Sequence, residues 1–365
     1  MTEFLIIGGG INGLLLAREL AATQASVLLL EKGKCFTEAS WAGGGIVSPL
    51  YPWRYGSAVT ALSNWAQDFY PELANTLKIE TKIDPEFNRT GLLMLDAVDE
   101  SLALQWAVDN RQHVERVDHQ FIYHLEPKLG AGFSSGLWMP NVANIRNPRL
   151  GKALIADLER RPNVTIIEKC QVTSFEVSGD RIVAVETQNS KQKRFVGEKI
   201  ILSTGAWSAL LTQKLGVDLS VEPVKGQMLL YKLDRPPVHS IVLSNGRYVI
   251  PRQDGYLLVG STLEYEEYDK TPTVEALVSL KASGQQLVPE LISLDPVNQW
   301  AGLRPGAPNG IPFIGRVPGF ENIYVNAGQF RNGLVLAPAS ARLMADILLD
   351  RKPIIDPAPY EPGAR

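Results

Sequence analysis

The period of apolar and polar positions changes several times along the chain, and the first change is the most informative. Phe4, Leu5, Ile6 and Ile7 form an unbroken apolar run, which predicts a strand buried on both faces. The run ends in Gly8-Gly9-Gly10-Ile11-Asn12-Gly13, and apolar spacing over 14–22 then predicts a helix. A second run, 27–30, predicts another strand and ends in Glu31. Strand, glycine turn, helix, strand and acid in this order predict a βαβ unit that holds a dinucleotide. Gly8 permits the tight turn, Gly10 lets the backbone approach a pyrophosphate, and Gly13 lets helix and strand pack closely. Glu31 stands eighteen residues after Gly13, near the spacing of a carboxylate that accepts ribose hydroxyl hydrogen bonds. An acid there favours an unphosphorylated ribose, as in FAD or NAD.

Further on, helical spacing recurs over 58–77, 101–108 and 148–158, with strands predicted at 91–95 and 164–167 and an extended piece at 138–140. Residues 171–177 and 181–186 alternate as a hairpin around Ser178-Gly179-Asp180. The apolar run 199–202 leads into Ser203-Thr204-Gly205-Ala206-Trp207, a second strand-to-helix turn. From Val221 the texture changes. Short runs at 228–231, 241–243, 248–251 and 256–259, separated by Asn245-Gly246 and Asp254-Gly255, predict an antiparallel meander. A meander does not fit a parallel doubly wound sheet, so it predicts a second domain inserted into the first. Helices are predicted at 273–287 and 334–349. The expected fold class is α/β plus α+β, a Rossmann-like nucleotide-binding domain interleaved with an antiparallel-sheet substrate domain. The expected division is 1–85, 145–220 and 303–365 for the first, and 86–144 and 221–302 for the second.

Composition narrows the function. At 365 residues there is room for about two domains. Apolar residues at 45% and charged residues at 21% exclude a disordered chain. A net charge of −3 and the lack of a basic stretch give no support for nucleic acid as a partner. Cys35 and Cys170 lie far apart, without metal or redox spacing, which suits a reducing cytoplasm. The N-terminal apolar stretch is broken by glycines and by Arg18-Glu19, so neither a signal peptide nor a membrane span is expected. His113, His119 and His124 lie in a polar stretch without ligand spacing and are expected at the surface; no metal is expected.

The candidate chemistry lies in a few segments. Gly43, Gly44 and Gly45, soon after Glu31, read as a flexible linker or as backbone lining the same cofactor's far end. The aromatic stretch 51–55 is either core or the wall of a small-molecule pocket. Arg304, between Leu303 and Pro305, and Arg331, between Phe330 and Asn332, need anionic partners in such apolar surroundings. A structural salt bridge or a bidentate clamp on a substrate carboxylate would each serve. Tyr248 is a half-buried core tyrosine or a phenolic donor to the same carboxylate. Residues 328–333 precede the last helix, whose amides and positive end would stabilise negative charge on a reduced flavin ring.

Taken in order, Gly8 to Gly13, Lys225-Gly226, Tyr248-Val249-Ile250-Pro251-Arg252, Trp300-Ala301-Gly302-Leu303-Arg304-Pro305 and Arg331-Asn332-Gly333 resemble the glycine oxidase branch of the D-amino-acid oxidase family. The resemblance covers essentially the whole chain. It implies an FAD-binding domain with noncovalent FAD, and oxidative deamination of glycine, sarcosine or small D-amino acids by hydride transfer to flavin. Molecular oxygen would be reduced to hydrogen peroxide, in a setting of thiamine thiazole synthesis. It further implies a homo-oligomer, dimer or tetramer. Ile11, Asn12, Glu31 and Lys32 would touch the adenosine and pyrophosphate end; Ala39, Ser40, Gly43, Gly44 and Gly45 would lie along the phosphates and flavin. Val172 would hold the adenine side by backbone contacts. Arg304 would pair with the substrate carboxylate, helped by Tyr248, with Arg331 beside the amine or carboxylate. Gln329, Phe330, Arg331, Asn332, Gly333, Leu334 and Val335 would pass the flavin's pyrimidine edge. Gln329 stands where the family frequently has histidine, and Leu263 where it has methionine. Rival readings are a D-amino-acid dehydrogenase that passes electrons to a quinone, and a flavin-binding or tRNA-modifying module. A sarcosine-oxidase-like enzyme tethers its flavin to a late cysteine, and no cysteine follows Cys170 here.

Overall fold

The computed structural model describes residues 2–363. The opening run becomes the strand Thr2–Ile7 (β1), followed by the helix Ile11–Ala21 (α1) and the strand Val27–Leu30 (β2). β1 lies inside a six-stranded sheet ordered Phe313–Arg316, Ile323–Ala327, Gly197–Leu202, β1, β2, Val164–Ile167. Every pairing is parallel except that of the edge strand Phe313–Arg316. An all-apolar run is what such a strand requires, because both faces are covered. Phe4 and Ile6 point into a core shared with α1 and the helices Ser57–Thr81, Asn147–Glu159 and Gly333–Leu348. Leu5 and Ile7 point the other way, toward a three-stranded antiparallel sheet of Gln171–Ser178, Arg181–Gln188 and Arg194–Phe195. Each such side chain, fully buried, contributes about 1.5–3 kcal/mol of transfer free energy.

The meander belongs to an eight-stranded sheet ordered Asn298–Gly306, Glu222–Lys232, Tyr256–Gly260, Arg247–Pro251, Ile241–Ser244, Leu92–Leu95, Ser135–Met139, Glu115–Asp118. One pairing is parallel, Ile241–Ser244 with Leu92–Leu95; the rest are antiparallel. The helix Val274–Leu287 covers one face through Leu280 and Leu287. The other face carries Met228, Tyr248 and Ile250. Ile250 and Tyr248 stand so near Gly44 that a Cβ there would meet them at 2.7 and 3.3 Å.

Two features depart from the expected organisation. The strand Asn298–Gly306 pairs along its whole length with Glu222–Lys232, so a division at 302/303 would cut through one element. The edge strand Glu115–Asp118 and the helix His119–Leu125 lie in the stretch expected to be merely polar surface. Only Val117 and Ile122 of these segments are buried, too little periodicity to be read from sequence. His113, His119 and His124 are exposed.

Candidate active site

A cavity of about 380 Å³ lies beyond the C-terminal ends of β1, β2 and Gly197–Leu202, walled by Ile7, Leu30 and Ser203 at those ends. In open parallel sheets this is where ligands bind. Gly8 has φ +110°, and a Cβ on it would lie 2.4 Å from the Ser203 carbonyl oxygen. A Cβ on Gly13 would lie 1.9 Å from the Gly8 carbonyl oxygen, so α1 can start this close to β1 only without a side chain there. Gly10, Ile11 and Asn12 open α1 against the cavity, and Ile11 N–H donates to Ser40 Oγ at 3.0 Å. Asn12 Oδ1 is buried without a partner. Glu31 accepts from Gly9 N–H at 2.7 Å and Gly33 N–H at 2.8 Å, which fixes its carboxylate with lone pairs to spare. Lys32 places its ammonium 3.0 Å from the Trp207 ring centroid. Burial lowers the Lys32 pKa from its ordinary value, against the pull of Glu38.

The next wall is the segment from Ala39 to Gly45. Its carbonyls are caught from two sides. Asn147 Nδ2 donates to Ser40 O at 2.8 Å and Gly43 O at 3.0 Å. Arg252, only 5% exposed, donates to Gly44 O at 2.8 Å, Asn144 Oδ1 at 2.6 Å and Ile145 O at 3.1 Å, with no acid in the set. Burial, with Arg146 nearby, pushes the Arg252 pKa down to about 10. Arg252 and Asn147 were not singled out from the sequence. The signal that marked Arg304, an arginine following apolar strand residues, was equally present at Arg252. Val172 lies on the opposite wall, between Gln171 and Thr173.

At the far end stand Arg304, Tyr248 and Arg331. Arg304 pairs with no carboxylate among the described residues. Its Nη1 donates to Lys225 O and Thr262 O, each at 3.2 Å, and its Nη2 donates to Ser261 Oγ at 2.9 Å. Of five guanidinium donors, these three contacts leave Nε–H and one Nη2–H, the number a carboxylate takes side-on. Burial lowers the Arg304 pKa, and the positive Arg331 acts in the same direction. Gly226 makes the room: a Cβ there would lie 2.2 Å from both Nη1 and Nη2. Tyr248 is buried, and among the described residues its hydroxyl meets only the soft Met228 sulfur, at 3.9 Å. Arg331 is exposed and forms no ion pair among the described residues.

The helix Gly333–Leu348 begins at this wall with Gly333 and Leu334. Gln329 is buried, donates to Asn326 Oδ1 at 2.7 Å and leaves its Oε1 without a partner. Phe330 lines the cavity from a left-handed backbone, φ +48°. Three expected contact residues do not form the wall. Gly13 packs beneath the turn, Val335 is rotated by the helix into the core, and Asn332 is buried with its Nδ2 unpartnered. No cluster of metal ligands exists among the described residues, and no helix there is long and apolar enough to cross a membrane.

The residues present fit a flavin dinucleotide. The glycine cradle, the fixed carboxylate of Glu31, and the residues Asn12, Ser203 and Gln329, each with a buried polar atom still unpartnered, all line the one cavity. Comparison with known proteins agrees. The family model described as FAD dependent oxidoreductase matches residues 3–347. A glycine oxidase from Pseudomonas aeruginosa is 52% identical over 360 residues, covering 99% of this chain and 98% of the relative. A bifunctional ThiO/ThiG protein from Synechocystis is 29% identical over 361 residues, covering 96% of this chain and 52% of the relative. The crystal structure of glycine oxidase from Geobacillus kaustophilus superposes with a TM-score of 0.93 at 25% identity, covering 100% of this chain and 98% of that one.

Proposed function

The chain belongs to the family of FAD-dependent oxidoreductases, and from that premise we propose that it is a glycine oxidase. Glycine, water and oxygen are converted to glyoxylate, ammonia and hydrogen peroxide; sarcosine and small D-amino acids react in the same way. The observation that carries this reading is Arg304, a half-buried cation facing the cavity with two donors free and no carboxylate among the described residues to take them.

Gly8, Gly10, Ile11, Asn12, Glu31 and Lys32 would hold the adenosine and pyrophosphate end, and Ala39, Ser40, Gly43, Gly44 and Gly45 would hold the rest of the cofactor. FAD, when bound, supplies the hydride acceptor and passes the electrons on to oxygen. Arg304 grips the substrate carboxylate, and the Tyr248 hydroxyl, with no oxygen partner of its own, donates to the same group. Fixing that end aims the substrate Cα–H at the cofactor and converts an encounter into a near-attack arrangement. The amine reacts as its free base, whose lone pair supports loss of hydride; the imine leaves and is hydrolysed by water. The positive end of Gly333–Leu348 opens on the cavity and would stabilise negative charge held there. Two buried free cysteines, with none after Cys170, support noncovalent FAD. The resemblance to a ThiO/ThiG protein supports a setting in thiamine thiazole synthesis.

Oxygen uptake with peroxide detection, run on glycine, sarcosine and D-alanine, tests the reaction. Turnover with a quinone but none with oxygen would replace the oxidase with a dehydrogenase. Gly226→Ala is expected to leave FAD binding intact while raising KM at least about tenfold. Its Cβ would push the guanidinium out of its seat, and the competent arrangement would become a minor one. A Gly226→Ala enzyme with wild-type KM would show that Arg304 need not sit where it does.

A further inference from the structure

Gln227 is fully buried on the strand Glu222–Lys232, and nothing in the reaction above uses it. Its amide nitrogen donates to both carboxylate oxygens of Glu264, at 3.0 and 3.1 Å, and approaches Thr273 Oγ1 at 3.1 Å. Its amide oxygen accepts from Thr273 N–H at 2.9 Å and from Gln299 Nε2 at 3.1 Å. The backbone joins in: Gln227 N–H donates to Thr262 Oγ1 at 2.8 Å, and Gln227 O accepts from Thr262 N–H at 3.3 Å. Lys225 and Glu264 exchange backbone hydrogen bonds of 2.8 and 3.0 Å alongside.

Side chains alternate across a strand, so Gln227, Lys225 and Glu264 lie on the face opposite Gly226 and Arg304. Glu264 is therefore held where it cannot occupy the guanidinium's free donors. The neighbouring residues of its own segment reach the other way. Ser261 Oγ and Thr262 O are two of the three acceptors that hold Arg304, and the third, Lys225 O, comes from the strand that Gln227 anchors. One buried amide thus fixes the segment from which the substrate anchor is oriented. A buried network of this kind works only when every member is satisfied.

We propose that Gln227 is a positioning residue for substrate carboxylate recognition: by clamping Glu264 and Thr273 through its side chain on one face of the ladder, while its backbone pairs with Thr262, it sets the Arg304 guanidinium on the other. This inference rests on Arg304 being the carboxylate anchor. Its signature is a loss of affinity for the carboxylate itself, larger than any loss in turnover at saturation.

The test uses the FAD-loaded enzyme, with acetate as the probe in calorimetry and glycine in steady-state kinetics. Gln227→Glu sets two carboxylates against each other; they must share a proton, and the pair loosens as pH rises and that proton is lost. Acetate Kd and glycine KM are expected to rise about tenfold, more steeply with pH than in the wild type, if the competent orientation falls to about a tenth of the population. The swap of Gln227→Glu with Glu264→Gln rebuilds the amide–carboxylate pair in reverse and is expected to bring both constants back to within about twofold of wild type. Unchanged acetate affinity in Gln227→Glu, or a swapped enzyme that folds and holds FAD yet still binds acetate weakly, would overturn the proposal. Should Gln227→Glu fail to fold, Glu264→Gln carries the test; it replaces the carboxylate that takes both contacts from the Gln227 amide and is expected to weaken acetate about threefold, and wild-type affinity would count against the proposal. Arg304→Ala separates the two levels. If it still binds acetate normally, the anchor reading is wrong; if it does not, but Gln227→Glu does, only the positioning role is.

Discussion

Replacing Arg304 with alanine should reduce kcat/KM for glycine by roughly 30- to 5,000-fold, that is by about 2–5 kcal/mol, the range for removing one partner of a desolvated charge pair. The figure follows from the setting. Arg304 has given three contacts to neutral oxygens and, among the described residues, none to an acid, so its charge gains a direct partner when an anion enters. Without it the substrate carboxylate would keep the Tyr248 hydroxyl but lose the cation fixed against it. Arg304→Lys should recover only part of the loss, because an ammonium cannot offer two parallel donors. The measurement is kcat/KM with FAD content matched between variants. A rate equal to wild type would remove Arg304 from the reaction.

Gly13→Ala should cost the protein its cofactor. The added Cβ would lie 1.9 Å from the Gly8 carbonyl oxygen and 3.5 Å from Ile6 Cγ2, and the first contact is with backbone that cannot rotate away. α1 must then back off from β1, carrying the amides of residues 10–12 away from the phosphates. Overpacking of this kind costs about 1–3 kcal/mol of stability, and misaligned phosphate donors should weaken FAD at least about tenfold, since each tenfold is only about 1.4 kcal/mol. The readouts are visible flavin absorbance after gel filtration and FAD titration of the apoprotein. Gly56→Ala is the control, because a Cβ there meets nothing within 4 Å. A yellow Gly13→Ala protein with wild-type FAD affinity would refute the cradle argument.

Much of this was legible in the chain because the physics involved is local. Phe4 to Ile7 had to be buried on both faces, and the glycines after them had to turn. The segment 274–287 had to be a helix by its spacing, and Asn245-Gly246 and Asp254-Gly255 had to be turns. Arg304 stood out because a cation among leucine and proline needs explaining. What stayed hidden depends on partners distant in sequence. Nothing near Gly226 reveals that its missing Cβ accommodates Arg304, and nothing near Gln227 announces Glu264 and Thr273. Asn147 looks like an ordinary helix-start residue until its amide is seen on the carbonyls of Ser40 and Gly43. Glu115–Asp118 was missed for a different reason, as an edge strand with a single buried side chain carries almost no pattern.

The central strand of the cradle has neighbours from very different parts of the chain. β1 pairs on one side with β2, only two dozen residues away, but on the other Thr2 pairs with Gly197, and that strand in turn places Ile200 beside Ile323. During synthesis the nucleotide grip therefore remains half-built until more than half of the polypeptide has emerged, with an apolar strand edge open throughout. Such long-range closure makes folding slow and leaves the nascent chain prone to association. The strand Gly197–Leu202 then keeps an apolar edge of its own open until Ile323–Ala327 arrives, so the demand for chaperones should last until that strand is released, and stable capture of flavin should come late in the life of the nascent chain.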